Sequence, residues 1–286
     1  MGNYKEGIKT MEKLGKFKIN DVYCVDSYSA IKEIPDKSVN LIYTDIPYLI
    51  ETSSNKGKKK SAVCQRISNL FANDLNEIIS GIDYSILDEF VRIQPYIYIY
   101  IWCSKEQILP IMEFYVKKHQ CSFNLLVWCK TNPTPATNGS WLPDLEYCLV
   151  FKGKGAARYN DGYENKSKFF VSAINKGDKD LYDHPTIKML TQVKQHLQHS
   201  CQKDWIVFDP FAGSGTTLVA AKELGLNYLG FDNNEKYIKI SKDRLNGCDQ
   251  RGNMNLFTTD FDKEQERYEQ MNLFEEREEQ WTLQKQ

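Results

Sequence analysis

The stretch Val39-Asn40-Leu41-Ile42-Tyr43-Thr44-Asp45-Ile46-Pro47-Tyr48 decides the fold of this chain. A short apolar run that ends in a polar turn is typical of a buried strand in a parallel sheet. Pro47 stiffens the turn, because its ring fixes φ. Ligands of open α/β sheets bind beyond the carboxyl ends of the strands. The stretch therefore predicts that Asp45 and Tyr48 reach a ligand-binding crevice.

The composition is typical of a soluble globular protein. The chain has 286 residues, 41% of them hydrophobic, which is enough for one large α/β domain with insertions. Its longest apolar run, residues 96–102, is far shorter than the ~20 residues that span a bilayer, and no signal-peptide pattern opens the chain. The eight cysteines include no Cys-x-x-Cys pair. This favours reduced thiols and a cytoplasmic location over disulfides or a zinc site.

Strand patterns alternate with helix patterns along the chain, which predicts an α/β fold with a doubly wound, mostly parallel sheet. The strand at 145–151 is expected to pair antiparallel with the strand at 122–128, as a hairpin at the sheet edge. The other strands are expected at 18–26, 39–43, 96–102, 205–208 and 227–231. Helices are expected at 27–34, 83–92, 105–118, 184–199, 216–224 and 234–245.

A second motif, Phe208-Asp209-Pro210-Phe211-Ala212-Gly213-Ser214-Gly215-Thr216-Thr217, joins a predicted strand to a predicted helix. Its glycines let a ligand approach the backbone, because no Cβ blocks it. A Walker loop is excluded, since Gly-Lys-Ser/Thr is absent, and Leu218 occupies the third glycine position of a dinucleotide fingerprint. Asp232 ends the next predicted strand, where a carboxylate can accept hydrogen bonds from ribose hydroxyls.

The two motifs together resemble those of the amino-group DNA methyltransferases. Asp45-Ile46-Pro47-Tyr48 resembles their Asp-Pro-Pro-Tyr catalytic motif, and residues 208–217 resemble their S-adenosylmethionine-binding motif. The catalytic motif comes first, as in the permuted β group. A third stretch, His184-Pro185-Thr186-Ile187-Lys188, resembles their His-Pro-Thr-Gln-Lys-Pro motif, from which Ile187 and Met189 depart. The resemblance covers about Lys18 to Leu245 and implies a Rossmann-like methyltransferase fold with a circularly permuted motif order.

The resemblance implies site-specific transfer of a methyl group from S-adenosylmethionine to N6 of a flipped adenine in duplex DNA, as in restriction-modification systems. Aspartate at the head of the catalytic motif points to adenine, whereas serine is usual for cytosine. N4-cytosine methylation is the alternative. A further alternative is a non-catalytic DNA-binding regulator that kept the fold, for which Ile46 in place of proline is the only hint. Intact Asp45, Tyr48, Asp209 and Asp232 argue against the regulator.

The resemblance also implies individual catalytic roles. Asp45 and the main-chain carbonyl of Ile46 would accept the two N–H bonds of the target amine, and Pro47 would hold the turn. Tyr48 would stack on the flipped base. Trp128 resembles the second stacking residue, and packing in the core is its alternative role.

The implied cofactor-binding residues follow the ends of the predicted strands. For one of them, Asp26, capping of the next helix is the alternative role. No metal site is expected, because His196 and His199 lack a cysteine or carboxylate partner and are expected at the surface of their helix. The cofactor-binding set is Asp26, Asp209, Pro210, Phe211, Gly213, Ser214, Gly215, Thr216, Asp232 and Lys188.

The segments differ in composition and charge. Residues 1–17 are expected to form a lead-in, 18–151 the catalytic half with a mobile basic loop at 51–66, and 152–184 a short target-recognition insertion. Residues 185–247 are expected to form the cofactor-binding half, and 248–286 an acidic tail. Basic residues would contact DNA phosphates, with a solvated charge run as the alternative for the loop. They are Lys56, Lys58, Lys59, Lys60, Arg66, Lys130, Lys152, Lys154 and Arg158.

The tail carries Met-Asn-Leu-Phe twice, at 254–257 and 271–274. The second copy, with Gln270 before it, resembles the peptide that docks on bacterial sliding clamps. Gln270, Leu273 and Phe274 are therefore candidate contacts with a partner. Packing on the protein's own surface or in a dimer is the alternative. A homodimer is an expectation from the resemblance to the family.

Overall fold

The computed structural model describes residues 12–49, 81–133, 141–159, 166–174, 181–182 and 187–248. The strands are β1 (Lys13–Leu14), β2 (Phe17–Lys18), β3 (Asp21–Cys24), β4 (Leu41–Asp45), β5 (Tyr98–Cys103), β6 (Ser122–Lys130), β7 (Leu145–Lys152), β8 (Phe169–Ser172), β9 (Ile206–Asp209) and β10 (Asn227–Asp232). The helices are α1 (Ser27–Ala30), followed by a 3-10 turn (Ile31–Glu33), α2 (Ile86–Arg92), α3 (Lys105–Met112), continued by a π-helix (Glu113–Lys118), α4 (Leu190–Ser200), α5 (Thr216–Glu223) and α6 (Glu235–Leu245).

Eight of these strands form one sheet in the order β3-β10-β9-β4-β5-β7-β6-β8. The first five run parallel, β7 is antiparallel to β5 and β6, and β8 is parallel to β6. The mostly parallel sheet and the antiparallel β6–β7 pair confirm the sequence prediction. The pair does not form the edge, however. Residues 169–172, expected within an insertion, add β8 outside it, because Phe170 packs on the core of the sheet.

The centre of the sheet contains the point where the chain changes direction. Strands β4 and β9 are neighbours, with Leu41 opposite Val207 and Ile42 opposite Phe208. From β9 the chain passes through α5 to β10 on one side, and from β4 it passes to β5 on the other. The carboxyl ends of two such strands border the crevice in which open α/β sheets bind ligands. The first long strand, β3, pairs with β10 at the far side, as the permuted order predicts.

Hydrophobic cores lie on both faces of the sheet because its central strands are buried on both sides. On one face Ile42 and Ile99 pack with residues of α2 and α3. On the other face Tyr43 and Tyr100 pack with residues of α4, α5 and α6. None of the described helices is both long and apolar enough to cross a membrane.

The expectation that His196 lies at the helix surface is wrong. Its side chain is buried, and Nδ1 lies 2.9 Å from the hydroxyl oxygen of Tyr43. Trp102 donates to the same hydroxyl at 3.0 Å. Burial lowers the pKa of His196 to about 3, so the ring is neutral. The sequence pattern missed this because α4 turns His196 toward the aromatic rings of the sheet, which supply a hydrogen-bond partner.

Two glycines with positive φ differ in how much space surrounds them, so substitutions there distinguish the cost of backbone strain from the cost of a steric clash. Gly215, which caps α5, has φ of 75°, and a Cβ added there would lie 2.8 Å from Ser241 Oγ and 3.2 Å from Ser241 Cα. Gly225 has φ of 67° with no described atom within 4 Å of an added Cβ.

We expect Gly225→Ala to lower the free energy of unfolding by about 1 kcal/mol, because alanine is strained at positive φ. Gly215→Ala should lower it further, because Ser241 must move. Urea denaturation checks this, and equal losses would contradict the role of the contact.

Candidate active site

A cavity of about 340 Å³ lies beyond the carboxyl ends of β4 and β9. The turn after β4 forms one wall, and the glycine-containing turn after β9 forms another. The two sequence motifs, far apart along the chain, therefore meet in one cavity. The residues expected from the sequence that line it are Asp26, Asp45, Ile46, Pro47, Tyr48, Lys188, Asp209, Phe211, Gly213, Ser214, Thr216 and Asp232.

The beginning of α3 fixes the turn after β4. Gln107 is fully buried, and its Nε2 donates to the carbonyl of Pro47 at 2.9 Å. Ser104 donates through Oγ to the carbonyl of Leu49 at 2.9 Å. Ser104 and Gln107 also form the capping box of α3, so the same two residues stabilise the helix and hold the turn. Ile46 lines the cavity while its side chain packs in the core, 1% exposed. Isoleucine in place of proline therefore fits this turn.

Asp45 occupies the wall between the two motifs. Its Oδ2 accepts from Lys188 Nζ at 2.8 Å. Its buried Oδ1 has no hydrogen-bond partner among the described residues. Burial raises the pKa of the Asp45 carboxyl, and the Lys188 ammonium opposes this rise. A buried acceptor without a partner is costly, so the Oδ1 atom is a position where a donor of a ligand would be stabilised.

Lys188, expected in the cofactor-binding set, lines the cavity on the side of the catalytic motif. Besides its contact with Asp45, the Lys188 Nζ atom lies 2.6 Å from Glu146 Oε2 and 3.0 Å from the Tyr48 hydroxyl. The sequence analysis missed Glu146, although an acid inside the otherwise apolar β7 was a visible signal. Burial raises the pKa of Glu146, but Lys188 and Lys130 outweigh burial and lower it to about 2.

The turn after β9 is held by residues of β10 and α6. Asp232 accepts from the backbone N–H of Gly213 at 2.8 Å and of Asn234 at 2.9 Å. Ser241 donates to the carbonyl of Gly213 at 2.7 Å, and Arg244 donates to the carbonyl of Ser214 at 2.7 Å. Asp232 therefore fixes the shape of the turn as well as lining the cavity.

Two residues of the expected cofactor set do not line the cavity. Pro210 is buried, and its carbonyl accepts from Ser27 Oγ. Gly215 lies against Ser241, where it begins α5. Both contribute to the shape of the turn, and their contact with a cofactor remains a prediction.

Asp26 fits both of its alternative roles. Its Oδ2 accepts from the backbone N–H of Ser29 at 3.0 Å, so it caps α1, and the residue also lines the cavity. Asp209 is 2% exposed and accepts from the backbone N–H of Phe211 at 3.2 Å. Burial raises the pKa of Asp209 to about 7, although the hydroxyls of Thr217 and Thr44 oppose the rise.

Trp128 packs in the core and does not line the cavity. Its side chain is buried, and its Nε1 donates to Ser172 Oγ at 2.9 Å. The structure therefore favours the core alternative over base stacking. Sequence alone left the two open because β6 is buried on only part of its surface.

Of the described lysines expected to contact DNA, Lys130 lies beside the cavity, and Lys152 lies at the other end of the strands. Lys130 binds Glu146 Oε1 at 2.6 Å and is 16% exposed. Lys152 pairs with Tyr98 at the start of β5, about 17 Å from the catalytic edge at 3.3 Å per residue. Its ammonium lies 3.8 Å from the centroid of the Tyr159 ring. Because β7 is antiparallel, Lys152 lies at the end of the strand away from the cavity, and Lys154 and Arg158 come after the strand has ended. Their contact with DNA remains a prediction.

Several expected contacts lie outside the described residues. They are the basic residues Lys56, Lys58, Lys59, Lys60 and Arg66, and the clamp-like peptide with Gln270, Leu273 and Phe274. Their roles, and the homodimer, remain predictions.

The chain belongs to the DNA methylase family. The family model matches residues 39–243, more than half of the chain, and the match includes both motifs. This confirms the family that the two motifs and their order predicted.

Curated relatives match over most of their length. The Type II methyltransferase M2.LlaDCHI of Lactococcus lactis subsp. cremoris is 26% identical over 265 residues, which cover 86% of this chain and 97% of that protein. The Type II methyltransferase M2.DpnII of Streptococcus pneumoniae is 26% identical over 241 residues, with coverage of 77% and 87%.

Solved structures share the fold. The crystal structure of the M1.HpyAVI-SAM complex matches with a TM-score of 0.57 and 24% identity, covering 79% of this chain and 98% of that one. The PvuII DNA methyltransferase, described as cytosine-N4-specific, matches with a TM-score of 0.53 and 14% identity, covering 78% and 85%. The Rossmann-like methyltransferase fold is thus confirmed.

The buried carboxyl of Asp209 should destabilise the protein at alkaline pH. Its raised pKa means that the folded state binds more protons than the unfolded state between the ordinary pKa of aspartate and about 7, so stability falls as pH rises through this range. We expect Asp209→Asn to raise the thermal midpoint more at pH 8 than at pH 5. Thermal unfolding without ligand checks this. The exposed Asp204→Asn is the control, and an equal change at both pH values would contradict the expected ionisation.

Proposed function

We propose that this DNA methylase transfers a methyl group from S-adenosylmethionine to N6 of a flipped adenine in duplex DNA. One observation carries the proposal. Asp45 has a buried oxygen without a partner among the described residues, and this residue lines the same cavity as the glycine-containing turn. The amino group of a base bound to Asp45 would therefore lie next to a cofactor bound to the turn.

The charges of the cavity suit this cofactor. Five acidic side chains line it, and Lys188 is the one lysine or arginine among the described lining residues. The five are Asp26, Asp45, Glu146, Asp209 and Asp232. Lys188 is already bonded to Asp45 and Glu146. Such a wall favours a cationic ligand over one with phosphates. S-adenosylmethionine, when bound, supplies a methyl group on a positively charged sulfur, which is a good leaving group.

The glycine-containing turn and its neighbours would hold the cofactor. Gly213 and Ser214 would provide the backbone surface, and Asp232, which lines the cavity beside them, would accept the ribose hydroxyls. Asp26 would lie near the adenine ring, as the resemblance implies. Asp209 would support the turn through its bond to the Phe211 N–H.

Asp45 and its neighbours would prepare the target amine. The lone pair of an exocyclic amine is delocalised into the base, so the amine is a weak nucleophile. Hydrogen bonds to Asp45 Oδ1 and to the Ile46 carbonyl would localise this pair and direct it toward the methyl group. Extruding the base costs a few kcal/mol. Stacking on Tyr48 would recover about 1 to 3 kcal/mol of this cost.

Adenine is favoured because aspartate heads the catalytic motif. N4-cytosine methylation is the second candidate, since the amine of cytosine would meet the same Asp45 oxygen. Both candidates require the same side chains, so the identity of the base must come from the product.

Product analysis tests the proposal. The protein, labelled S-adenosylmethionine and unmethylated duplex DNA should give N6-methyladenine after digestion to nucleosides. Asp45→Asn should lower the rate by about 10²-fold or more, because it replaces the charged acceptor at the reacting amine. The exposed Asp204→Asn should leave the rate unchanged. Label in N4-methylcytosine would overturn the base assignment, and no transfer by the wild type despite cofactor binding would favour the non-catalytic regulator.

The salt dependence of DNA binding tests the phosphate contacts. Replacing Lys56, Lys58, Lys59 and Lys60 together by Ala should weaken DNA binding and reduce the slope of log K against log salt by about 0.9 per lost contact. Replacing Lys152 and Lys154 should change neither quantity by much, because Lys152 lies at the opposite edge of the sheet. Equal effects of the two sets would contradict this division.

A further inference from the structure

Four charged side chains form one partly buried cluster beside the cavity. Lys188 binds Asp45 and Glu146, and Glu146 binds Lys130 through its other oxygen at 2.6 Å. The exposed fractions of these side chains are 11% for Lys188, 17% for Glu146, 16% for Lys130 and 30% for Asp45. Two positive and two negative charges balance. Neutrality of the cluster explains why it is stable in a partly buried place, but not why it lies against the catalytic motif.

The Lys188 ammonium uses its three donors on three different side chains. They are Asp45 Oδ2 at 2.8 Å, Glu146 Oε2 at 2.6 Å and the Tyr48 hydroxyl at 3.0 Å. The Tyr48 hydroxyl in turn donates to Glu146 at 3.3 Å. Lys188 therefore connects the expected acceptor of the amine with the expected stacking ring, and Glu146 holds both Lys188 and the ring.

We propose that Glu146 and Lys188 are a pair of positioning residues, which orient Asp45 and Tyr48 and leave one Asp45 oxygen for the target amine. Occupation of Oδ2 by Lys188 fixes the carboxylate plane, so Oδ1 is directed at a constant position. The inference rests on the proposed function, because Asp45 and Tyr48 are the residues expected to touch the base. Neither Glu146 nor Lys188 itself needs to touch the substrate.

Lys188 and Glu146 shift the pKa of Asp45 in opposite directions. Burial raises the pKa of Asp45, Lys188 lowers it, and Glu146 raises it. When the carboxyl group is ionised, both of its oxygens accept hydrogen bonds, whereas in the protonated form one oxygen carries a proton and acts as a donor. The titratable groups that face Asp45 from the surrounding elements are Lys188, Glu146, Tyr48, Asp209, Tyr43, Cys103 and Cys148.

Two neutral variants of similar size separate positioning from charge. Lys188→Met and Glu146→Gln should each lower kcat by about 10-fold or more, because Asp45 and Tyr48 lose a fixed orientation. The affinity for S-adenosylmethionine should change by less than about 3-fold, since the turn after β9 is intact. The pH profile of kcat/KM reports groups of the unliganded enzyme. Its acid limb should move to higher pH in Lys188→Met and to lower pH in Glu146→Gln.

A matched ion pair away from the cavity is the control. Lys194 of α4 lies 2.8 Å from Glu223 of α5, and these side chains are 18% and 20% exposed. Lys194→Met and Glu223→Gln should therefore reproduce any general loss of stability without moving the pH profile. Thermal unfolding of all four variants shows which are folded. If Lys188→Met does not fold, the test uses Glu146→Gln alone, through its kcat and the direction in which the acid limb of its pH profile moves.

The outcomes distinguish this inference from the proposed function. Opposite shifts with reduced kcat support the positioning pair. Shifts in the same direction, or variants that behave like the controls while the wild type transfers methyl groups, overturn it. A wild type that binds the cofactor but transfers nothing overturns the proposed function, whatever the variants do.

Discussion

Parallel pairing of β4 with β9 is the constraint on which the site depends. The two strands come from opposite halves of the chain, and their register places Ile42 opposite Phe208. The strands end at Asp45 and Asp209, so their pairing fixes both carboxylates at one edge of the sheet. Neither motif forms a site alone, because each turn supplies only one wall of the cavity. The order of the motifs along the chain does not matter to the site, since the pairing alone makes them neighbours. The circular permutation is thus compatible with the function of the family.

The cavity concentrates negative charge, and the protein compensates only part of it. Asp45 is balanced by Lys188, and Glu146 by Lys188 and Lys130. The groups that shift the pKa of Asp209 include no lysine or arginine of the described part of the chain, and burial raises this pKa to about 7. Without ligand, the cavity therefore holds a carboxyl group that is costly to ionise. A cationic ligand would stabilise the ionised carboxylates. Its binding should therefore offset part of the free-energy cost of ionising these buried groups. Stability and ligand binding are opposed at Asp209, as is common at functional sites.

Sequence predicted the elements that carry their own pattern. The apolar runs of β4, β5, β9 and β10 identified these strands, and Gly225 and Gly247 correctly marked helix ends, since both have positive φ. Both motifs were assigned to the right turns. The residues whose surroundings the sequence did not predict have contacts that are distant along the chain. Trp128 and His196 are polar-tipped side chains whose partners lie on other elements, and Lys188 has all its partners far from it along the chain. Pattern alone cannot show where such a side chain finds its partner.

The direction of β7 accounts for the largest of these differences. An antiparallel strand carries its first residues to the edge where its parallel neighbours end, so Glu146 lies at the catalytic edge and Lys152 at the other. A parallel strand in the same place would have reversed the two. The antiparallel pair was predicted, but its consequence for these charges was not, because the positive charge at 152–158 suggested a DNA-binding surface by composition alone. Strand direction thus decides which charged residues can act in catalysis. The acid near the start of β7 becomes a neighbour of Asp45, and the lysine at its end instead packs on Tyr98 and Tyr159.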